Sequence, residues 1–584
     1  MLDRWRLILR YLPPYRRIVV WGFVSLTASV AMIAATPLCI RVALNYVEAV
    51  AKAGSRPDLQ TVAFWAGAAV VLTVLGGLSG FFKRYLLMGV SRRLETDLRR
   101  DLFHHIQHLP RSYLDGVRTG DLLSRATADV EAARLAAGPA MMYLADAALR
   151  TPVVLGLMFF LNVEIATFAL LPLGGIFVTL LFMAPRLKEA SRVVQDQLAE
   201  ISARAQESFS GARVVKTFAM EHREQRDIDA RSIDYLHANR RLARVRGVVW
   251  ASIGFLTSCG VLVIFLVGGR QAIAGDAGIG DLVAFLAYQF MLTWPMMALG
   301  FVLGMIQRGA AGLDRIREVM EQPLEVEGDA DVPAVRGEIE IKGLTFGYNG
   351  DRVLSGIDLK VSAGSTLGIV GATGSGKSTL VSLLPRLYDP PPGTVFIDGR
   401  DVHEWPLAQL RAAIAAVPQE AFLYSRSVRR NITFGRQDAT DDEIEAAVLR
   451  AHLTPDLGQL SEGLETVVGE RGVTLSGGQK QRTSLARALA VDAPILILDD
   501  PLSAVDTETE AAILGHLKEF GAQRTVLIVA HRISAVRDAD HIVLLDEGRI
   551  AEAGTHAELV ELGGAYARMA RAQELEEEIE RLEP

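Results

Sequence analysis

Six apolar runs occupy the first half of the chain, near residues 18–47, 62–82, 141–161, 165–184, 248–268 and 282–303, and each is about as long as a helix that crosses a bilayer. Such runs leave few folds open, because backbone in hydrocarbon satisfies its polar groups only within a helix or a closed barrel. The second half is charged and patterned as strands and helices. The 50% hydrophobic content and the formal net charge of −7 over 584 residues therefore average two unlike parts and give no sign of a nucleic-acid partner. The first run is too long for a signal-peptide core and reads as a retained span. Arg4, Arg6, Arg10, Arg16 and Arg17 lie ahead of it in an amphipathic, interfacial stretch, so the positive-inside rule puts the N-terminus in the cytoplasm. Six spans return the chain to that side, where the second half is expected.

Runs one and two, three and four, and five and six are joined by short stretches. The second and fourth connections, near Lys83–Pro139 and Pro185–Arg246, are charged, helical in pattern and roughly fifty or sixty residues long. A helix continuing about 25 residues beyond the bilayer reaches ~40 Å into the cytoplasm. Asp146 and Arg150, one turn apart in the third run, are expected to form an ion pair facing a cavity, with a substrate contact as the alternative. Phe285, Tyr288, Phe290 and Trp294 in the last run read as packing or lipid-facing residues rather than a pocket. Cys39 and Cys259 fall inside apolar runs and read as small buried hydrophobes, not as a disulfide or metal ligands.

The acidic, Pro-bearing segment Glu321–Val335 reads as a linker, and from Glu338 to about Leu545 strands alternate with helices, as in an α/β core. The expected organisation is a membrane domain over 1–320, a linker over 321–336, a nucleotide-binding domain over 337–570 and an amphipathic helix over 571–584. In that helix Ala572, Leu575, Ile579 and Leu582 make one stripe among glutamates, either a solvated tail or a partner-binding zipper.

Three motifs in the second half carry chemistry. In GATGSGKS, Gly371, Ala372, Thr373, Gly374, Ser375 and Gly376 form a loop whose amides can close around phosphates; Lys377 can reach the β- and γ-phosphates, and the Ser378 hydroxyl can ligate Mg²⁺, with Thr379 continuing the site. ILILDD is an apolar strand whose end delivers Asp499, a carboxylate fit to hold Mg²⁺ through water, and Asp500. LSGGQ, residues Leu475, Ser476, Gly477, Gly478 and Gln479, has no lysine; its hydroxyl and glycine amides open a helix and can bind a phosphate held by another domain.

The order of these motifs resembles the nucleotide-binding domain of ATP-binding cassette (ABC) transporters, and the resemblance runs through the whole chain. It implies an exporter-type half-transporter: a polytopic α-helical membrane domain of six spans fused to an α/β P-loop ATPase domain with an α-helical subdomain. On the same resemblance Tyr348 stacks on adenine, the alternative being a strand-end core tyrosine. Gln419 is the Q-loop glutamine linking Mg²⁺ and the attacking water to the membrane domain, and His531 is the switch histidine at the γ-phosphate. LSGGQ is the signature, which crosses to the ATP site of a facing domain, so the working unit is a dimer binding ATP and Mg²⁺. Ser503–Asp506 resembles the loop between the two sites, Thr466–Gly472 the segment touching coupling helices, and Leu109–Val130 and Gln206–Glu224 the coupling-helix regions. One departure stands out. The family usually has Glu as general base where this chain has Asp500, which implies the slow half of a heterodimer with a second half-transporter chain. Fusion of spans to ATPase implies export of a drug, lipid or peptide; a nucleotide-gated channel or regulator and a nonpumping scaffold are the rival readings.

Overall fold

The computed structural model describes the backbone of residues 2–326, 328, 333–348, 350–469, 472, 475–502 and 505–582, and their side chains except those of 2–4, 296, 297, 299, 507 and 576–582. Ser503 and Ala504, Glu470 and Arg471, and the side chains of Arg4, Ile579 and Leu582 thus lie outside the described residues. The chain divides into two compact units, one of Met1–His108 with Val117–Gln322, the other of Leu109–Gly116 with Pro323–Pro584.

In the first unit six helices among the described residues are long and apolar enough to cross a membrane: Pro13–Lys52, Leu59–Gln107, Thr119–Leu161, Val163–Ser210, Glu221–Ala274 and Ile279–Met320. Each contains one apolar run and extends beyond it, so the charged connections are largely continuations of the spans. The N-terminal stretch is α-helical over Leu2–Tyr11, and Pro13 and Pro14, which lack an N–H, turn the chain through a 3-10 turn at Pro13–Tyr15 before the long α-helix begins at Arg16. Met158, Ile165, Ile176, Ile264, Phe285 and Leu292 pack inside, while Trp21, Phe81, Phe160, Trp250 and Phe301 are exposed. A bundle apolar on both its inner and outer surfaces is one built for lipid. The aromatics of the last span divide by helical spacing. Phe285 and Tyr288 face inward with Leu292, the Tyr288 hydroxyl donating to the Ala34 carbonyl at 3.0 Å, whereas Phe290 and Trp294 are exposed. Cys39 is buried and Cys259 half-buried, both as free thiols.

Side chains from the end of the first span cap the start of the sixth. Asp281 pairs with Arg41 and accepts from the Gly278 amide at 2.7 Å, Asn45 accepts from the Gly280 amide at 2.7 Å, and Glu48 accepts from the Ile279 amide at 2.7 Å. These are amides that no carbonyl of the sixth helix can reach.

Asp146 makes the expected pair with Arg150, at 3.1 Å, and gains a partner the sequence did not indicate, Lys83 of the second span, at 2.8 Å. The three side chains are only 9–16% exposed, so one carboxylate holds two cations in poor contact with water. Asp146→Asn strands both cations and is expected to destabilise the unit by roughly 3 kcal/mol. Thermal unfolding in detergent checks this, with Lys83→Met restoring part of the loss; an unchanged midpoint in Asp146→Asn would refute it.

The second unit is built on two sheets. One is antiparallel, in order β2-β1-β4-β5, from β1 (Ile339–Tyr348), β2 (Asp351–Val361), β4 (Val395–Ile397) and β5 (Arg400–Asp401). The other runs β10-β9-β3-β8-β7-β6, from β3 (Thr366–Gly371), β6 (Ile414–Val417), β7 (Ile495–Asp499), β8 (Thr525–Val529), β9 (His541–Asp546) and β10 (Arg549–Gly554). Its strands are parallel from β9 to β6, and only β10 is antiparallel. Strand parity sorts the core. Ile495 and Ile497 join the cluster shared with β1 and β2, and Leu496 and Leu498 join the cluster beneath the helices Asp441–Arg450 and Gly477–Leu489. Both faces are covered, and function is left to the strand ends.

Candidate nucleotide-binding site

Four neighbouring parallel strands deliver their C-terminal ends to one place. Beyond β3 comes the loop from Gly371 to Gly376, beyond β6 Gln419, at the end of β7 Asp499, and two residues past β8 His531. Thr373, Gly374, Gly376, Lys377, Ser378, Thr379, Gln419, Asp499 and His531 line a single cavity of about 240 Å³, with Val353 and Val529 completing the wall. Two glycines are required by the path of the loop. Gly371 has φ 150°, and a Cβ there would lie 2.2 Å from the Leu545 carbonyl oxygen; Gly376 has φ 101°, and its Cβ would lie 2.8 Å from the Leu354 side chain. The helix that follows is short, Lys377–Ser382.

Lys377 is 5% exposed, and its ammonium donates to the carbonyls of Gly371 and Ala372, each at 2.9 Å. An ammonium has three donors, so one remains for a phosphate. The Ser375 hydroxyl is buried in the same loop with no partner among the described residues, which suits a loop that closes on an anion. Ser378 donates to Asp499 at 3.0 Å. A hydroxyl and one carboxylate at this spacing fit Mg²⁺, which keeps waters and takes substrate phosphates as its other ligands. Among the described residues no cluster of three or more His, Cys, Asp or Glu forms an all-protein metal cage.

Burial moves both charges toward neutrality. It raises the Asp499 carboxyl above its usual range, Asp500 adding to the rise and the Ser378 hydrogen bond opposing it. It lowers the Lys377 ammonium, with Asp499 and Asp500 opposing. A cation beside Asp499 would favour its ionised form and a phosphate beside Lys377 its charged form, so each ligand would offset one of the two burial costs.

Tyr348 ends β1 outside the cavity wall, and its hydroxyl donates to Thr379 at 3.2 Å. Its ring lies edge-on to Phe346 and to Tyr388, at 5.3 and 5.0 Å between centroids. Tyr388 in turn donates to Asp115 at 2.5 Å, holding the short helix Arg111–Gly116 against this unit. Gly371, Ala372 and Ser375 shape the loop without lining the cavity, and Asp500 follows Asp499 with φ 50°. Leu475 is buried. Ser476 caps the helix Gly477–Leu489, its hydroxyl accepting from the Gln479 amide at 3.2 Å while the Gln479 side chain accepts from the Ser476 amide at 3.0 Å. Leu485 and Leu489 are buried along that helix, and the amides of Gly477 and Gly478 precede its first carbonyl acceptors. Sequence reading missed Val353, Val529 and two residues that hold the His531 segment, Glu510 and Gln573. For Gln573 a signal existed, because it extends the buried positions Tyr566 and Ala570 at i, i+4, i+7.

Residues 354–503 match the family model described as "ABC transporter", and residues 19–296 match "ABC transporter transmembrane region". The "Probable multidrug resistance ABC transporter ATP-binding/permease protein YheI" of Bacillus subtilis is 36% identical over 88% of both chains. The chain belongs to the ABC transporter family. Another relative of this ABC transporter is the "ATP-dependent lipid A-core flippase" of Aromatoleum aromaticum, 35% identical over 98% of this chain and 96% of that one. A solved "bacterial Atm1-family ABC exporter with ATP bound" superposes with a TM-score of 0.74 at 28% identity, covering 96% of this chain and 98% of the other. The ABC transporter is thus a multi-pass membrane protein with a transmembrane region and an ATP-binding domain, homologous to multidrug and lipid A flippase half-transporters.

Proposed function

We propose that this ABC transporter exports a hydrophobic or amphipathic substrate, a drug, lipid or peptide, across the cytoplasmic membrane as half of a dimer, with its N-terminus and ATPase in the cytoplasm. The carrying observation is that one chain holds both six membrane-length helices and a cavity lined by Lys377, Gln419, Asp499 and His531. The names of its relatives, multidrug and lipid A transporters, support the substrate class. In this reading residues 1–320 form the membrane domain and 337–570 the ATPase, joined by 321–336 and followed by the tail helix 571–584.

At the site Tyr348 stacks on adenine and the loop amides with Lys377 hold the phosphates. Ser378, Gln419 and Asp499 would hold Mg²⁺, the last through water, and the ion would supply positive charge beside the phosphates. Asp500 accepts a proton from the attacking water, and His531 contacts the γ-phosphate. Leu475–Gln479 closes on the partner's nucleotide, and Arg111–Gly116 and Ala212–Thr217 lie in the segments that carry closure to the spans.

Inside-out vesicles test the reading against its rivals. Wild-type protein is expected to accumulate an amphipathic dye or fluorescent lipid only with ATP. Lys377→Ala, which deletes the cation facing the β- and γ-phosphates, is expected to lower azido-ATP labelling of this chain by at least about tenfold and to reduce accumulation. Nucleotide-dependent flux that runs only down the gradient would establish a channel, and unchanged labelling in Lys377→Ala would remove the site assignment.

A further inference from the structure

We propose that Gln573, on the C-terminal helix, is a positioning residue that holds His531 toward the γ-phosphate; this rests on the proposed contact of His531 with that phosphate. The chain leaves the sheet just after β8, where the Ala530 amide donates to the Ile369 carbonyl at 3.1 Å. Between His531 and the start of β9 at His541 the chain lies outside the strands, yet backbone polar groups in a half-buried segment need partners. One side-chain amide supplies two of them. Gln573 donates from Nε2 to the His531 carbonyl at 2.8 Å and accepts at Oε1 from the Ile533 amide at 2.7 Å. A carbonyl can only accept and an N–H only donate, so this pair fixes the orientation of the amide as well as its position.

The opposite side is held by Glu510, 4% exposed, which accepts from Arg532 at 3.0 Å and from the Ser534 hydroxyl at 2.8 Å. Ile533 is buried in the core. Backbone at 531 and 533 is thus held by one helix and side chains at 532 and 534 by another, and His531 between them lines the nucleotide cavity.

Gln573 is itself rigidly placed. The helix Ala565–Leu582 is anchored by buried Tyr566, Ala567 and Ala570, and Glu552 accepts from the amides of Ala565 and Tyr566 at 2.5 and 3.1 Å. Ala572 and the 59%-exposed Leu575 point the other way. Among the described side chains, the inward face of this helix ends in the amide that holds the switch segment.

ADP lacks the γ-phosphate and serves as an internal control for damage to the site. With the full transporter in nanodiscs, labelling of this chain by azido-ATP is competed with a nonhydrolysable ATP analogue or with ADP. Gln573→Met, which keeps volume and removes both hydrogen bonds, is expected to weaken the ATP analogue about tenfold and leave ADP within about twofold; in a His531→Ala background it is expected to add nothing. Gln573→Glu, which keeps the acceptor for Ile533 and loses the donor, is expected to act in the same direction and substitutes if the Met variant fails to assemble. Equal loss for both nucleotides, no loss, or a loss that persists in the double variant overturns the proposal. If His531→Ala alone leaves the preference for ATP over ADP intact, the assignment of His531 fails instead, and the two failures are told apart.

Discussion

Ser476→Arg is expected to stop ATP hydrolysis by the assembled transporter while nucleotide stays bound at this chain's own Lys377. Ser476 has two roles. It caps its helix through the reciprocal bonds with Gln479, and in the proposed dimer its hydroxyl and the glycine amides meet the partner's γ-phosphate. Loss of the cap alone costs about 1 kcal/mol. The helix start is also held by Asp456, which accepts from Arg482 at 2.8 and 2.9 Å and from Gln479 at 3.3 Å, and buried Leu485 and Leu489 anchor the second half of the helix. The variant should therefore fold. What changes is closure, because a long cation stands where the facing phosphate docks, and loss of even one such donor lowers turnover by about a hundredfold or more. Ser476→Ala removes the cap without adding bulk and isolates that smaller effect. Steady-state ATPase together with azido-ATP labelling of each chain reads both quantities. Loss of this chain's own nucleotide with turnover persisting at the partner would show that the signature serves its own site.

Asp500→Glu is expected to raise hydrolysis at this chain's own site by about a hundredfold, since a base must lie within hydrogen-bond reach of the attacking water and a displacement of ~1 Å costs about that much. Asp is shorter than Glu by one methylene, about 1.5 Å. The local backbone adds a second consideration. Asp500 sits at φ 50° with its amide donating to the Val529 carbonyl at 2.9 Å, and short polar side chains tolerate this left-handed conformation better than long ones. The restored reach therefore comes with a small loss of stability. The wild-type site, with Lys377, Ser378 and Asp499 intact, should hold ATP as a clasp while its signature completes a faster site on a partner bearing Glu. Turnover is to be measured for the chain alone and with its partner, each with Asp500→Asn and with the partner's Glu→Gln. Robust turnover by the lone chain that Asp500→Asn abolishes would sink the heterodimer. Persistence in the Asp500→Asn complex, with loss on changing the partner, would support it.

The legible parts of the site were those where a short stretch carries its own geometry. Gly371–Ser378 specifies a loop because only glycine fits at φ 101° beside Leu354, and Ile495–Asp499 specifies a buried strand because apolar residues on both parities need two covered faces. The spans were legible for the same reason, length and apolarity being local. What escaped were long-range polar partners. Lys83 meets Asp146 across 63 residues and Gln573 meets His531 across 42. A lysine beside an apolar run and a glutamine among glutamates look like ordinary boundary and surface residues until the fold brings their partners to them.

The bond between Tyr388 and Asp115 has a bearing on biosynthesis. These residues are 273 positions apart, and the ATP-binding unit includes Leu109–Gly116, a piece of chain that lies between the second and third span helices. A ribosome makes that piece when only two spans have been threaded and the rest of the unit long afterwards. The ATP-binding unit thus gains this contact only if insertion of the first spans leaves the piece between them on the same side as the rest of the unit, so the bond between Tyr388 and Asp115 reports on insertion of the membrane part.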